Sequence, residues 1–232
     1  MKTILAYGDS LTFGASPLPN GPRHAYEDRW ASRLEAGLDG KARVFAEGLG
    51  GRTTVFDDWA ANFELNGAKT LPVMLASHSP LDLVILFLGT NDLKPYINGS
   101  ALQASFGMRR LVQVVRGHFG GLVEPIPQIL LVSPPHLCAS QNSDVIERFG
   151  GASGIAQSQS FASHYAKRAA ELGVAFFDAA TVAKADPADG VHLGLGERPC
   201  ELAHSFVLLR CLSFQPGGSC LMTSTPHTGE NA

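Results

Sequence analysis

Cysteine, charge and long apolar runs are all scarce in this chain, and each shortage closes off a class of protein. The four cysteines (Cys138, Cys200, Cys211 and Cys220) form no Cys-x-x-Cys and no Cys/His cluster, so no structural metal is expected. Only 17% of the residues are charged and the formal net charge is −3, which leaves no basic face for nucleic acid. No apolar run approaches the ~18–20 residues that cross a bilayer, so no membrane partner is expected. The start, Met1-Lys2-Thr3-Ile4-Leu5, has one positive residue and neither an extended apolar segment nor a cleavage site. It reads as the beginning of a strand, and the expected location is the cytoplasm. There is no internal repeat, and no linker parts the chain in two. What is present, 45% hydrophobic residues in a chain of 232, suits one domain. We place it at residues 1–213, with a mobile, atypical tail at 214–232.

Five short apolar runs have strand character: residues 3–7, 42–46, 82–88, 128–133 and 173–178. The third is apolar on both faces and therefore central. Helical spacing marks 27–38, where Trp30, Leu34 and Leu38 fall four apart, and also 71–78, 101–118 and 155–172. Residues 56–70 look irregular, and 136–153 reads as a long loop. Strands alternating with helices predict parallel strands joined by right-handed crossovers. The expected fold is α/β: a three-layer α/β/α sandwich, flavodoxin-like, with about five parallel strands.

In such a sheet the carboxyl ends of the strands share one rim, where ligands bind. Ser10 follows the first strand, Gly51 the second and Asn91 the third, while Asp189 and His192 follow the fifth. Groups far apart in the chain can therefore meet. A serine hydroxyl needs a base to take its proton, and His192 is the natural one, since an imidazole titrates near neutrality. Asp189, three residues earlier, can hold the ring. An oxyanion needs donors, and three are available: the N–H groups of Ser10 and Gly51 and the side-chain amide of Asn91. The Gly8-to-Gly14 turn could instead cap a helix or hold a phosphate in a binding module, although it lacks the Walker pattern and the dinucleotide glycine spacing.

The blocks Gly8-Asp9-Ser10-Leu11, Gly51-Arg52-Thr53-Thr54, Leu88-Gly89-Thr90-Asn91-Asp92, Val132-Ser133-Pro134-Pro135 and Asp189-Gly190-Val191-His192 occur in family order. Over about residues 1–193 the chain resembles the SGNH (GDSL) hydrolases, in particular their bacterial arylesterase/acyltransferase branch. That resemblance implies a Ser10–His192–Asp189 triad, an oxyanion hole of Ser10, Gly51 and Asn91, and no cofactor. It also implies hydrolysis of short-chain and aryl esters, acyl transfer to alcohols or peroxide, and a homo-oligomer with loops narrowing the pocket. A carbohydrate acetylesterase or a thioesterase is the near alternative. Glu47-Gly48 stands where many members carry Asn. After His192 the chain departs from the family, with clustered cysteines and a Gly/Ser/Thr/Pro-rich end that suggests a rearranged gene terminus around a helix at 200–212.

Among the remaining candidates, Arg52, Trp59 and Ile97 are grouped as substrate-binding residues, with Phe56 and Phe87 as further pocket candidates. A structural hydrogen bond is the commoner role for an arginine placed like Arg52. Asp9 is expected to fix its loop by accepting backbone hydrogen bonds. Asp57-Asp58 lacks the histidine that would suggest a metal, and His24, His78, His136 and His164 have no partner readable from sequence.

Overall fold

The computed structural model describes residues 1–121, 123–194 and 205. Apart from residue 205, the expected helix at 200–212, the boundary at 213 and the tail at 214–232 lie outside them.

Five parallel strands form one sheet: β1 (Lys2–Gly8), β2 (Ala42–Gly48), β3 (Leu83–Phe87), β4 (Gln128–Ser133) and β5 (Ala175–Asp178), in the order β2-β1-β3-β4-β5. This is the expected flavodoxin-like order. Leu5 pairs with Phe45 on one side and Val84 on the other, and Ile85 pairs with Leu130. All of β3 is buried, as a strand covered on both faces must be.

Alternation along the strands sends side chains into two separate cores. On one face Leu5, Val84, Leu86 and Leu131 pack beneath α3 (Gly67–His78), α4 (Ala101–Phe119) and α7 (Phe161–Leu172), through Leu71, Leu75, Met108, Leu111 and Tyr165. On the other, Ile4, Ile85, Phe87 and Leu130 meet Trp30 and Leu34 of α2 (Trp30–Gly37) and Leu193. Trp30 meets Phe87 edge-on at 5.9 Å, so Phe87 belongs to the core and lines no pocket. Among the described residues no helix is long and apolar enough to cross a membrane.

Three stretches differ from expectation. The helix beginning at 71 starts four residues earlier: the Asn66 side chain caps it by accepting the Ala68 N–H, outweighing the local breakers Gly67 and Pro72. Residues 136–153 are not all loop, and 155–172 is not one helix; α5 (Ser143–Arg148) and α6 (Gly151–Ser158) precede α7. The break falls at Ser158 and Ser160, whose hydroxyls donate to Ile155 O and Gln157 O. Such local bonds compete with helix continuation. Residues 27–38 begin as a 3₁₀ turn, Tyr26–Asp28, before α2 takes over.

Candidate active site

β1 ends at Gly8 and reopens into a single helical turn, α1 (Ser10–Phe13). A Cβ on Gly8 would fall 2.1 Å from Thr12 Oγ1, so only glycine lets the turn close this tightly. The buried Asp9 carboxylate accepts the Leu11 N–H at 2.9 Å and caps the turn, its expected role. Arg52 braces the same turn from below. Its Nη1 donates to Gly8 O at 2.7 Å and to Glu47 O, and its guanidinium lies 4.1 Å over the Tyr7 ring. The chain ends of β1 and β2 are thereby tied together.

The Ser10 hydroxyl lies 3.0 Å from His192 Nε2, and His192 Nδ1 lies 2.5 Å from Asp189 Oδ2. Asp189 Oδ1 accepts the N–H groups of Val191 and His192, each at 2.9 Å, which sets the carboxylate square to the ring. The loop is anchored at both ends by Asp186 N–H to His192 O (2.8 Å) and Cys138 N–H to Gly190 O (3.1 Å). Burial alone would raise the Asp189 pKa. The His192 ring and the two N–H donors outweigh it and hold the carboxyl below its ordinary value, so it stays ionised.

Gly51 takes φ +88°, a backbone state that favours glycine, and a Cβ there would meet Leu65 at 2.9 Å. Among the described residues, the N–H groups of Ser10 and Gly51 donate to no protein acceptor. Asn91 is buried, and its amide nitrogen sits 3.2 Å from Arg52 O and 3.4 Å from Asp9 Oδ2, both at the long end for a hydrogen bond. Three polar donors thus stand on the rim beside a hydroxyl and an imidazole.

A sequence model of the GDSL-like lipase/acylhydrolase family matches residues 6–195. The chain belongs to this family. A carbohydrate acetylesterase family member from Sinorhizobium meliloti is 45% identical, with a TM-score of 0.86 over 92% of this chain and 100% of that one. A putative arylesterase from Agrobacterium tumefaciens is 49% identical, with a TM-score of 0.80 over 89% and 96%. The aryl esterase of M. smegmatis is 38% identical, with a TM-score of 0.82 over 89% and 96%. No curated protein sequence matches.

In this member of the GDSL-like family the other singled-out residues fall in varied places. Arg52 is buried under the turn, Ile97 is half-buried with its N–H on Lys94 O at 2.9 Å, and Trp59 is 78% exposed against Tyr96. Asp57 pairs with Lys69, and among the described residues no His/Cys/Asp/Glu cluster could hold a metal ion. Two histidines have partners that sequence did not reveal. His78 Nε2 meets Glu47 Oε1 at 2.8 Å. His24 is buried, and its Nε2 lies 3.0 Å from Leu193 O, a carbonyl that can only accept, so that nitrogen carries a hydrogen. Its backbone N–H donates to Gly14 O at 2.8 Å, so His24 ties the segment after Ser10 to the residue after His192.

Two fully buried carboxyls flank Asn91. Burial pushes Asp9 up to about 6, against the Leu11 N–H and the charges of His192, Arg52 and Lys94. Burial likewise pushes Asp92 up to about 7, although the Thr54 N–H (2.9 Å) and hydroxyl both donate to it. Both hold a proton more tightly folded than unfolded, where the value is about 3.9. Between these limits the folded state binds more protons, so the stability they contribute is present at about pH 4 and is lost as pH rises toward 6 and 7. The urea midpoint should fall across this interval. Asp92→Asn, which can keep both Thr54 contacts, should flatten the decline; an unchanged slope would contradict the assignment.

Proposed function

We propose that this chain is a serine esterase that hydrolyses short-chain and aryl carboxylic esters through an acyl-enzyme on Ser10. The observation that carries the reading is the 3.0 Å approach of Ser10 Oγ to His192 Nε2, with Asp189 behind the ring. Relatives 38–49% identical that are described as aryl esterase, putative arylesterase or carbohydrate acetylesterase family member support ester chemistry.

In the proposed cycle, His192 Nε2 takes the hydroxyl proton as Ser10 Oγ attacks the ester carbonyl. Asp189 remains ionised and steadies the imidazolium. The oxyanion is met by the N–H groups of Ser10 and Gly51 and the Asn91 amide, each such donor contributing roughly 3–4 kcal/mol in related chemistry. The imidazolium then protonates the departing alcohol. Water, activated by the same nitrogen, attacks the acyl carbonyl, and Ser10 leaves with its proton restored. An alcohol or peroxide in water's place gives a new ester or a peracid by the same step. No cofactor enters this cycle.

A series of p-nitrophenyl esters tests the substrate class. Acetate should give the highest kcat/KM, falling as the acyl chain lengthens; a rise toward octanoate would contradict a short-chain pocket. Assembly into a homo-oligomer in the cytoplasm remains part of the reading. Sedimentation equilibrium tests the assembly.

A further inference from the structure

Once Ser10 Oγ carries an acyl group it no longer donates to His192 Nε2, so the bond joining nucleophile and base is lost midway through the proposed cycle. Another contact must hold the imidazole in place while it activates water. Among the described residues, two hydrogen bonds join residues 8–29 to residues 186–194: Ser10 Oγ to His192 Nε2 at 3.0 Å, and His24 Nε2 to Leu193 O, also at 3.0 Å. The second involves no reacting atom.

His24 closes a ring of contacts around the site. Its backbone N–H donates to Gly14 O at 2.8 Å, and the Gly14 N–H donates to Ser10 O at 2.9 Å. Its ring reaches Leu193, the residue bonded to His192, while its own carbonyl accepts from Arg29 Nε at 3.0 Å. Ser10 and His192 are therefore tied together twice, once through the atoms that react and once through main chain that does not. His24 is only 6% exposed, so little water competes for the Leu193 carbonyl.

The other contacts on this loop do a different job. Asp186 N–H to His192 O fixes the loop to itself, and Cys138 N–H to Gly190 O fixes it to the segment after β4. Leu11 and Leu193 share a core, but an apolar contact sets no direction. Only the His24 bond relates the base to the nucleophile's segment in a defined geometry throughout the cycle. His24 also stands outside every motif block, in the Gly/Pro-rich stretch 15–24.

We propose that His24 is a positioning residue for the acyl-enzyme: it holds the His192 ring beside the acylated Ser10 and so governs deacylation more than acylation. The inference rests on the esterase reading and adds a residue to its machinery.

His24→Phe keeps a flat ring and removes the donor, whereas His24→Gln returns an N–H close to the Nε2 position. On p-nitrophenyl acetate His24→Phe should lower kcat by roughly tenfold, within the ~10²-fold that a 1 Å misplacement can cost. KM should fall with kcat, because a slower second step lets acyl-enzyme accumulate. Intact mass spectra of acid-quenched steady-state samples should then show a larger acetylated share than the wild type, and His24→Gln should recover most of the rate. A structural defect would leave part of the protein inactive, lowering kcat at unchanged KM with no extra acetyl-enzyme. That result would overturn the proposal, as would His24→Gln no faster than His24→Phe. If His24→Phe loses its cooperative thermal transition, His24→Asn, whose amide is too short to reach Leu193 O, takes its place. Unfolding of both would assign His24 to stability alone and overturn the proposal. An inactive wild-type chain would refute the esterase reading and this inference together. An active one whose His24→Phe variant matches it would refute the inference alone.

Discussion

Ser10→Ala should lower kcat on p-nitrophenyl acetate by about six orders of magnitude, the scale seen when a serine protease loses its nucleophile. The size follows from the arrangement. With the Oγ gone, His192 Nε2 has no hydroxyl to deprotonate, and any remaining rate must come from the donors acting on an incoming water. The fold should not suffer. The hydroxyl's one side-chain partner among the described residues is His192, at 3.0 Å. Losing that bond should cost about 1 kcal/mol or less, so thermal unfolding should barely move. A variant that keeps even a tenth of wild-type turnover would remove Ser10 from the chemistry. One that unfolds far below the wild type would show that the loss was structural.

Asp189→Asn should cost about four orders of magnitude in kcat, as the equivalent change does in serine proteases. Here the backbone dictates which way the new amide turns. The Oδ1 position accepts two N–H groups, from Val191 and His192, so the amide oxygen must sit there. Its NH₂ then faces His192 Nδ1 and forces that nitrogen to accept. The ring hydrogen moves to Nε2, the atom that has to receive the Ser10 proton. The base is thus present, in place and in the wrong tautomer. A loss of less than about tenfold would mean that Asp189 merely shapes the loop, since a merely supporting bond is worth about 1 kcal/mol.

Much of this was legible because it is written in local pattern. Leu83–Phe87, apolar on both faces, announced a central strand. Once the strands were parallel, the residues following their carboxyl ends had to share a rim. Ser10, Gly51, Asn91, Asp189 and His192 could therefore be grouped from position alone. What escaped notice has no periodic trace. The His24–Leu193 contact spans 169 residues and the Asp92–Thr54 pair spans 38, and neither follows from the spacing of apolar residues. The helices at Ser143–Arg148 and Gly151–Ser158 were hidden by glycines at 150, 151 and 154 in a stretch that composition marks as loop. Trp59 could be read from sequence as a pocket or core residue, yet it stands 78% exposed, and its ring partner Tyr96 comes from a separate segment.

The central claim is that one particular hydroxyl, activated by His192, attacks the substrate. Treatment with paraoxon followed by peptide mass mapping addresses it directly. A single diethylphosphoryl group on the peptide containing Ser10, growing in step with loss of esterase activity, is the predicted result. Activity that disappears while the adduct sits on another residue, or that persists with Ser10 fully modified, would contradict the account.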